Sequence, residues 1–271
     1  MGTLIDTSDN DSANKQSIRI AMLHLSPRHD NVLHNVALLE KLFLMAVSLQ
    51  PDIIVTPELA VSGYGFYKIL GKEWMKSDGY KIIEKFAKLA QENNVALILG
   101  SPVYTEKSNK YYNAALFIDE QGQVIGEHHK INVLPGSEDW SSPGSEIRPV
   151  EWRGYKIGLL ICSDAYTQNI AGELAKQGAN VLISPAAWGP GLHEPDGEWE
   201  QRSKETRLCL YVCNRTGNED VLNFEGSSSA VVVDGSRRVE YAMKQTAILT
   251  IDVEAGSWLP RSDKFTIRMM K

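Results

Sequence analysis

"KIGLLICSDAY", residues 156–166, sets an apolar run of Ile157, Leu159, Leu160 and Ile161 directly against Cys162, and turns polar at Ser163 and Asp164. A short apolar run bounded by polar residues is the pattern of a buried strand, and Cys162 stands where that strand gives way to a turn or helix. Outward from it, "NVLISPAAW" (180–188) and "YVCNRTG" (211–217) read as two more apolar strands. They are separated by a helix around 167–177 and by the helical "EWEQRSKETRLCL" (198–210). Toward the N-terminus, Val36, Leu39, Phe43, Ala46 and Val47 recur at three- and four-residue steps, one face of a helix that Pro51 ends.

Strands "SIRIAMLHLS" (17–26) and "DIIVTPE" (52–58) flank that helix, and "GYKIIEKFAKLAQENN" (79–94) is a second amphipathic helix with Ile82, Phe86, Leu89 and Ala90 inward. "VALILG", "YYNAALFID" and "QVIGEHHKI" follow as consecutive strands, with a hairpin turn at Gln121-Gly122. "SSAVVVD", "RRVEYAM" and "AILTIDV" form a closing meander. Two βαβ-like units around paired strands predict an α/β protein, its sheets carrying helices on their outer faces.

The chain has 271 residues, 43% of them hydrophobic, enough for one large core. Residues 1–16 are polar and aperiodic, which predicts an unstructured tail before a single domain over 17–271. A net charge of -6 disfavours nucleic acid and anionic lipid as partners. With no bilayer-length apolar run and no secretory-type start, the expectation is a soluble cytoplasmic protein with no membrane association. Three cysteines make no disulfide framework, and Cys209 with Cys213 lacks the spacing of a zinc or redox pair, so both are assigned to core filling.

Cys162 by itself has two readings. Cysteine is among the most buried residue types. A thiolate at a strand-to-helix junction, however, meets free N–H groups that lower its pKa and can hold an oxyanion. No histidine stands out as its base, but carboxylates do. Glu58 follows the strand "IIVTP", and Lys130 closes the strand "GEHHK". Cys162 together with charged groups at two further strand mouths outweighs any one of the three.

The blocks "PDIIVTPELAVSGY", "HHKINVLPGSEDWSSPG" and "KIGLLICSD", about seventy and about thirty residues apart, resemble the three signature blocks of the nitrilase superfamily of carbon–nitrogen hydrolases. "GANVLISPAAW", "EWEQRSKETRLCLYVCNRTG" and "FEGSSSAVVVDG" extend the resemblance over nearly the whole chain from residue 18. It implies a four-layer α-β-β-α sandwich that pairs as a homodimer or higher homo-oligomer. It also implies Glu58 as general base, Lys130 as the cation beside the tetrahedral intermediate, Cys162 as attacking thiolate and Glu138 as a further glutamate that positions substrate or water. Ser163 would supply an oxyanion N–H, with Tyr64, Trp140 and Trp188 walling a pocket for a small amide. The implied chemistry needs neither metal nor organic cofactor. An acyl transferase, or a binding or regulatory module without turnover, is the alternative on the same scaffold. A glutaminase half of a synthetase is not expected, since no nucleotide-binding domain follows.

"CSDAYTQN" departs from the family pattern. Amidase-type members keep an aspartate two residues after the cysteine, as Asp164 does here, and then an aromatic-Pro-Glu triplet, where Thr167, Gln168 and Asn169 stand. Nitrilases proper tend to Cys-Trp-Glu, so Ser163-Asp164 favours amides over nitriles. The arginines of carbamoyl-amino-acid hydrolases are replaced by Ala165 and Tyr166. His128 and His129 alternate on a strand and face opposite ways. His193, Glu194 and Asp196 lack metal-ligand spacing and read as a solvated loop. Arg202 and Glu205, three apart on a helix, read as a structural ion pair.

Overall fold

The computed structural model describes residues 16–190 and 197–270. The first half runs β1 (Ser17–His24), α1 (Val32–Val47), β2 (Ile53–Val55), α2 (Tyr67–Leu70), a π-helical turn (Met75–Gly79), α3 (Tyr80–Glu92), β3 (Ala96–Thr105), β4 (Lys110–Ile118) and β5 (Val124–His129). The second runs β6 (Val150–Trp152), β7 (Tyr155–Leu159), a 3₁₀ turn (Cys162–Tyr166), α4 (Gln168–Lys176), β8 (Val181–Ala186), α5 (Glu198–Thr206) and β9 (Leu210–Asn214). It closes with β10 (Asn218–Glu219), β11 (Leu222–Asn223), β12 (Ser229–Val233), β13 (Ser236–Tyr241), β14 (Ala247–Glu254) and β15 (Thr266–Met269).

One large sheet has seven strands in the order β15-β14-β1-β2-β3-β4-β5, the second has six, β13-β12-β9-β8-β7-β6, and β10 and β11 pair as a separate two-stranded ribbon. Each large sheet is parallel at its centre, β1-β2-β3 and β7-β8-β9, and antiparallel outside it. The two-residue period of the strands explains the layering. Ile20, Met22, Ile53, Val55 and Ile98 join Ile157, Leu159 and Ile183 in the core shared by the two sheets. Their neighbours Ala21, Leu23, Ile54, Leu97 and Leu99 face the other way, against Leu39, Phe43 and Ala46 of α1 and Phe86 and Ala90 of α3. Helices α4 and α5 cover the second sheet through Ile170, Leu174 and Trp199, completing an α-β-β-α sandwich.

Burial, more than local propensity, fixes the helices. The α1 N-terminus is capped by Asn31 Oδ1, which accepts from His34 N at 2.9 Å, a contribution of about 1 kcal/mol. Leu39, Leu42, Phe43 and Ala46 are buried beneath it, and each of the larger three contributes about 1.5–3 kcal/mol. The C-terminal segment adds β15 as an edge strand antiparallel to β14, Ala247 opposite Met269. Helix α5 stops at Thr206 because Arg207 turns left-handed at φ 59°. Among the described residues no helix is long and apolar enough to cross a membrane.

Candidate active site

Three strand ends converge. The chain leaves β2 and reaches Glu58, leaves β5 at Lys130, and leaves β7 at Cys162, with Glu138 supplied by the loop after Lys130. Glu58, Lys130 and Glu138 are all buried. Lys130 Nζ donates to Glu58 Oε1 at 2.7 Å and to Glu138 Oε1 at 2.5 Å. The remaining carboxylate oxygens are held by backbone amides, Ala187 N on Glu58 Oε2 and Leu134 N on Glu138 Oε2, each at 2.9 Å. Burial pulls the Lys130 ammonium toward neutrality, but the fields of Glu58 and Glu138 overcome it and hold its pKa well above the ordinary value. Burial raises the Glu138 carboxyl, more than Lys130 lowers it.

Cys162 is buried with a backbone φ of 46°, a left-handed conformation that costs a residue with a Cβ about 1 kcal/mol or more and is found where a site demands it. A position at a strand-to-helix junction predicts a lowered thiol pKa. In the fold, burial and then the Glu58 anion push it well above the ordinary cysteine value, and neither Lys130 nor the Ala187 amide compensates. The resting group is therefore a thiol, with a carboxylate and an ammonium in its field.

Asp164 fastens this turn to the lysine strand. Its Oδ2 accepts from Ile161 N at 3.0 Å and from His128 Nε2 at 2.7 Å, and its Oδ1 accepts from Ile131 N and Asn132 N at 3.0 and 2.9 Å. Burial opposes its charge, yet the His128 hydrogen bond and these amides keep its pKa below the usual carboxylate value. Asn132 adds bonds to the Ser163 carbonyl and to Thr167 Oγ1, at 3.0 and 2.9 Å. Thr167, one of the departures from the family pattern, thus belongs to the same brace. Arg202 does more than pair with Glu205: its Nη1 holds the Ala165 carbonyl at 2.8 Å. His129 stacks on Tyr112 at 4.0 Å, on the face opposite His128.

Sequence reading missed several parts of this apparatus. Asn113 Nδ2 donates to both glutamates, 2.7 Å to Glu58 and 3.2 Å to Glu138. Gly100 is required by a close approach: a Cβ there would lie 2.0 Å from the Pro57 carbonyl oxygen, on the backbone that carries Glu58. Gly144 does the same for Lys130, since a Cβ would lie 2.2 Å from the His129 carbonyl oxygen. Their only signals in sequence were a glycine at a strand position, a glycine after a loop proline, and an asparagine amid apolar residues. Gly100→Ala must displace Glu58, and a displacement near 1 Å can cost about a hundredfold in rate. We expect kcat to fall by about that factor, with less change in KM, as steady-state kinetics would read.

Above the cluster lies a cavity of about 290 Å³. Of the residues expected to line it, Tyr64, Cys162, Ser163 and Trp188 do. Trp140, expected at the wall, is buried outside the lining, edge-on to Phe66 at 4.8 Å. Phe224 and Leu222 form a wall that sequence reading did not foresee. His193, Glu194 and Asp196 lie outside the described residues. Cys209 and Cys213 sit in the core between the sheets, and burial pushes the Cys209 thiol up to about 11.

The sequence profile of the carbon-nitrogen hydrolase family matches residues 19–259. The chain belongs to this family. This carbon–nitrogen hydrolase is similar to a glutamine-dependent NAD(+) synthetase of Acinetobacter baylyi, 29% identical over 81% of the chain but only 41% of that relative. It thus spans less than half of that protein. A 2-oxoglutaramate amidase of Bacillus subtilis is 30% identical, matched over 73% of this chain and 75% of its own. Among solved structures, an amidase from Nesterenkonia sp. shares the fold with a TM-score of 0.77, at 23% identity over 91% of this chain and 94% of its own.

Proposed function

We propose that this carbon–nitrogen hydrolase cleaves a small non-peptide amide through a thioester on Cys162. One observation carries the reading: a buried Glu58–Lys130–Glu138 cluster whose field falls on a strained, buried cysteine at the floor of a cavity. Glu58 takes the thiol proton as sulfur attacks the amide carbon. Lys130 and the Ser163 N–H face the oxyanion, where a fixed donor in a water-poor site is worth about 10²–10³ in rate. Glu58 then passes its proton to the departing nitrogen, which leaves as ammonia or an amine. Water attacks the thioester in the second half, giving its proton to Glu58, and the returning proton restores the thiol as the carboxylic acid departs. Glu138 holds Lys130 in place.

An amide is favoured over a nitrile by Ser163-Asp164 in place of Trp-Glu, and by relatives named as amidases. The test is intact-protein mass spectrometry during turnover of a panel of amides, esters and nitriles, with ammonia followed in parallel. We expect an acyl adduct on wild type, none on Cys162→Ala, and ammonia from amides. Ammonia released by both proteins would sink the nucleophile. Added amine that diverts the acyl group from acid to a new amide would make the chain a transferase.

A further inference from the structure

We infer that the cavity selects an uncharged, apolar acyl group of about ten non-hydrogen atoms, an aryl-alkyl or medium-chain alkyl amide; this rests on the amide reading above. The size follows from the volume, about 290 Å³, or roughly ten waters at ~30 Å³ each. The chemistry follows from the walls. Among the described lining residues none carries a formal charge. Two aromatic pairs face the space: Tyr64 with Phe224, ring centroids 6.1 Å apart, and Tyr166 with Trp188, 5.0 Å apart. Two of the wall hydroxyls are engaged within the protein, Ser163 Oγ donating to Asn132 O at 2.7 Å and Tyr64 Oη lying 3.2 Å from Ser137 Oγ.

A substrate carboxylate needs a cation, and the nearby cations are engaged. Lys130 is bound between two glutamates. Arg215, buried with its guanidinium 4.3 Å from the Phe224 ring centroid, is paired to Glu219 and donates to the Pro27 carbonyl at 3.0 Å. Glu219 in turn accepts from Tyr64 N and Gly65 N, at 3.0 and 2.7 Å. The Arg215–Glu219 pair therefore braces the Tyr64–Phe224 wall, and it is not open to a ligand. Glu198 lies close enough to raise the Tyr166 hydroxyl, behind burial and Cys162 as causes, and its sign repels an anionic acyl chain. Burying an unpaired carboxylate in such a space is far costlier than burying a phenyl ring.

The experiment compares 3-phenylpropionamide, glutaramate and 6-aminohexanamide in two ways: kcat/KM of the wild type from ammonia release, and calorimetric binding to Cys162→Ala. We expect 3-phenylpropionamide to exceed each charged amide by about a hundredfold or more in kcat/KM and to be the only one that binds Cys162→Ala. Val221, at the rim and 92% exposed, offers a gain-of-function check. Val221→Arg is expected to raise kcat/KM for glutaramate a few-fold, on the order of an exposed ion pair. Equal or better turnover of either charged amide by wild type would overturn the inference, as would failure of Cys162→Ala to bind 3-phenylpropionamide. Selective binding of 3-phenylpropionamide without ammonia from any amide would uphold the apolar cavity and sink the hydrolase reading instead.

Discussion

Lys130→Met is expected to reduce kcat/KM for any amide substrate by about 10²–10³ and, separately, to lower folding stability by about 3–5 kcal/mol at neutral pH. Methionine keeps the apolar stem and much of the volume, so loss of charge is what is measured. The rate effect comes from removing a cation fixed beside the developing oxyanion. The stability effect comes from Glu58 and Glu138, both hydrogen-bonded to one ammonium within 2.7 Å and buried. Without it, two carboxylates face each other in a dry site, and the Glu138 carboxyl, already raised by burial, loses the ammonium that lowers it. A raised folded-state pKa is stabilising below the unfolded value near 4.3 and is lost as pH climbs. The stability gap to wild type should therefore be small at pH 4 and widen toward pH 7 in denaturant titrations. Adding Glu138→Gln removes one of the charges and should recover part of the stability but none of the activity. A gap independent of pH would mean that Lys130 holds the fold by shape, not by charge.

Strand-end residues and periodic faces were legible in the sequence, because both are set by local patterning. Ile20 and Ala21 alternate between the two layers as their spacing requires, and Phe86 and Ala90 turn inward from α3 as their spacing predicts. Glu58 and Cys162 could be picked out because each stands just past an apolar run, and Lys130 because it closes the strand GEHHK; the fold brings those ends together. What was not legible depends on register and loop path. Asn113 meets Glu58 only because β4 lies against β3 with Ala115 opposite Gly100. Gly100 matters only because the Pro57 carbonyl crosses it. Trp140 fell outside the cavity because Phe66, from another loop, packs against it. The sign of the Cys162 shift was missed for a related reason. Helix-start amides are a local feature, whereas the burial and the Glu58 charge that raise the thiol are assembled from distant segments.

Cys162→Ala should abolish turnover and the acyl adduct while leaving the protein folded, since alanine fills most of the same space; Cys209→Ser, in the core away from the cavity, should leave the chemistry nearly untouched. The pH dependence of stability separates the protonated thiol found here from the activated thiolate its position in sequence implied. Because the folded-state pKa is raised, the native protein keeps a proton that the unfolded chain releases above about 8.5. The stabilisation from this group is complete below that pH and is lost as pH rises, at about 1.4 kcal/mol per unit, until the folded-state value is reached. Wild type should thus lose stability relative to Cys162→Ala between pH 8.5 and 10 in urea titrations. Burial of the other cysteines and of Tyr64 acts alike in both proteins and cancels in the difference. A lowered thiol would give the opposite sign, with wild type gaining on the variant as pH rises through the folded-state value and holding that gain above 8.5. The first outcome makes Glu58 indispensable, since a thiol held neutral reacts only when a neighbouring base removes its proton during attack. Glu58→Gln should then silence acylation as thoroughly as loss of the sulfur, although Cys162 itself is intact.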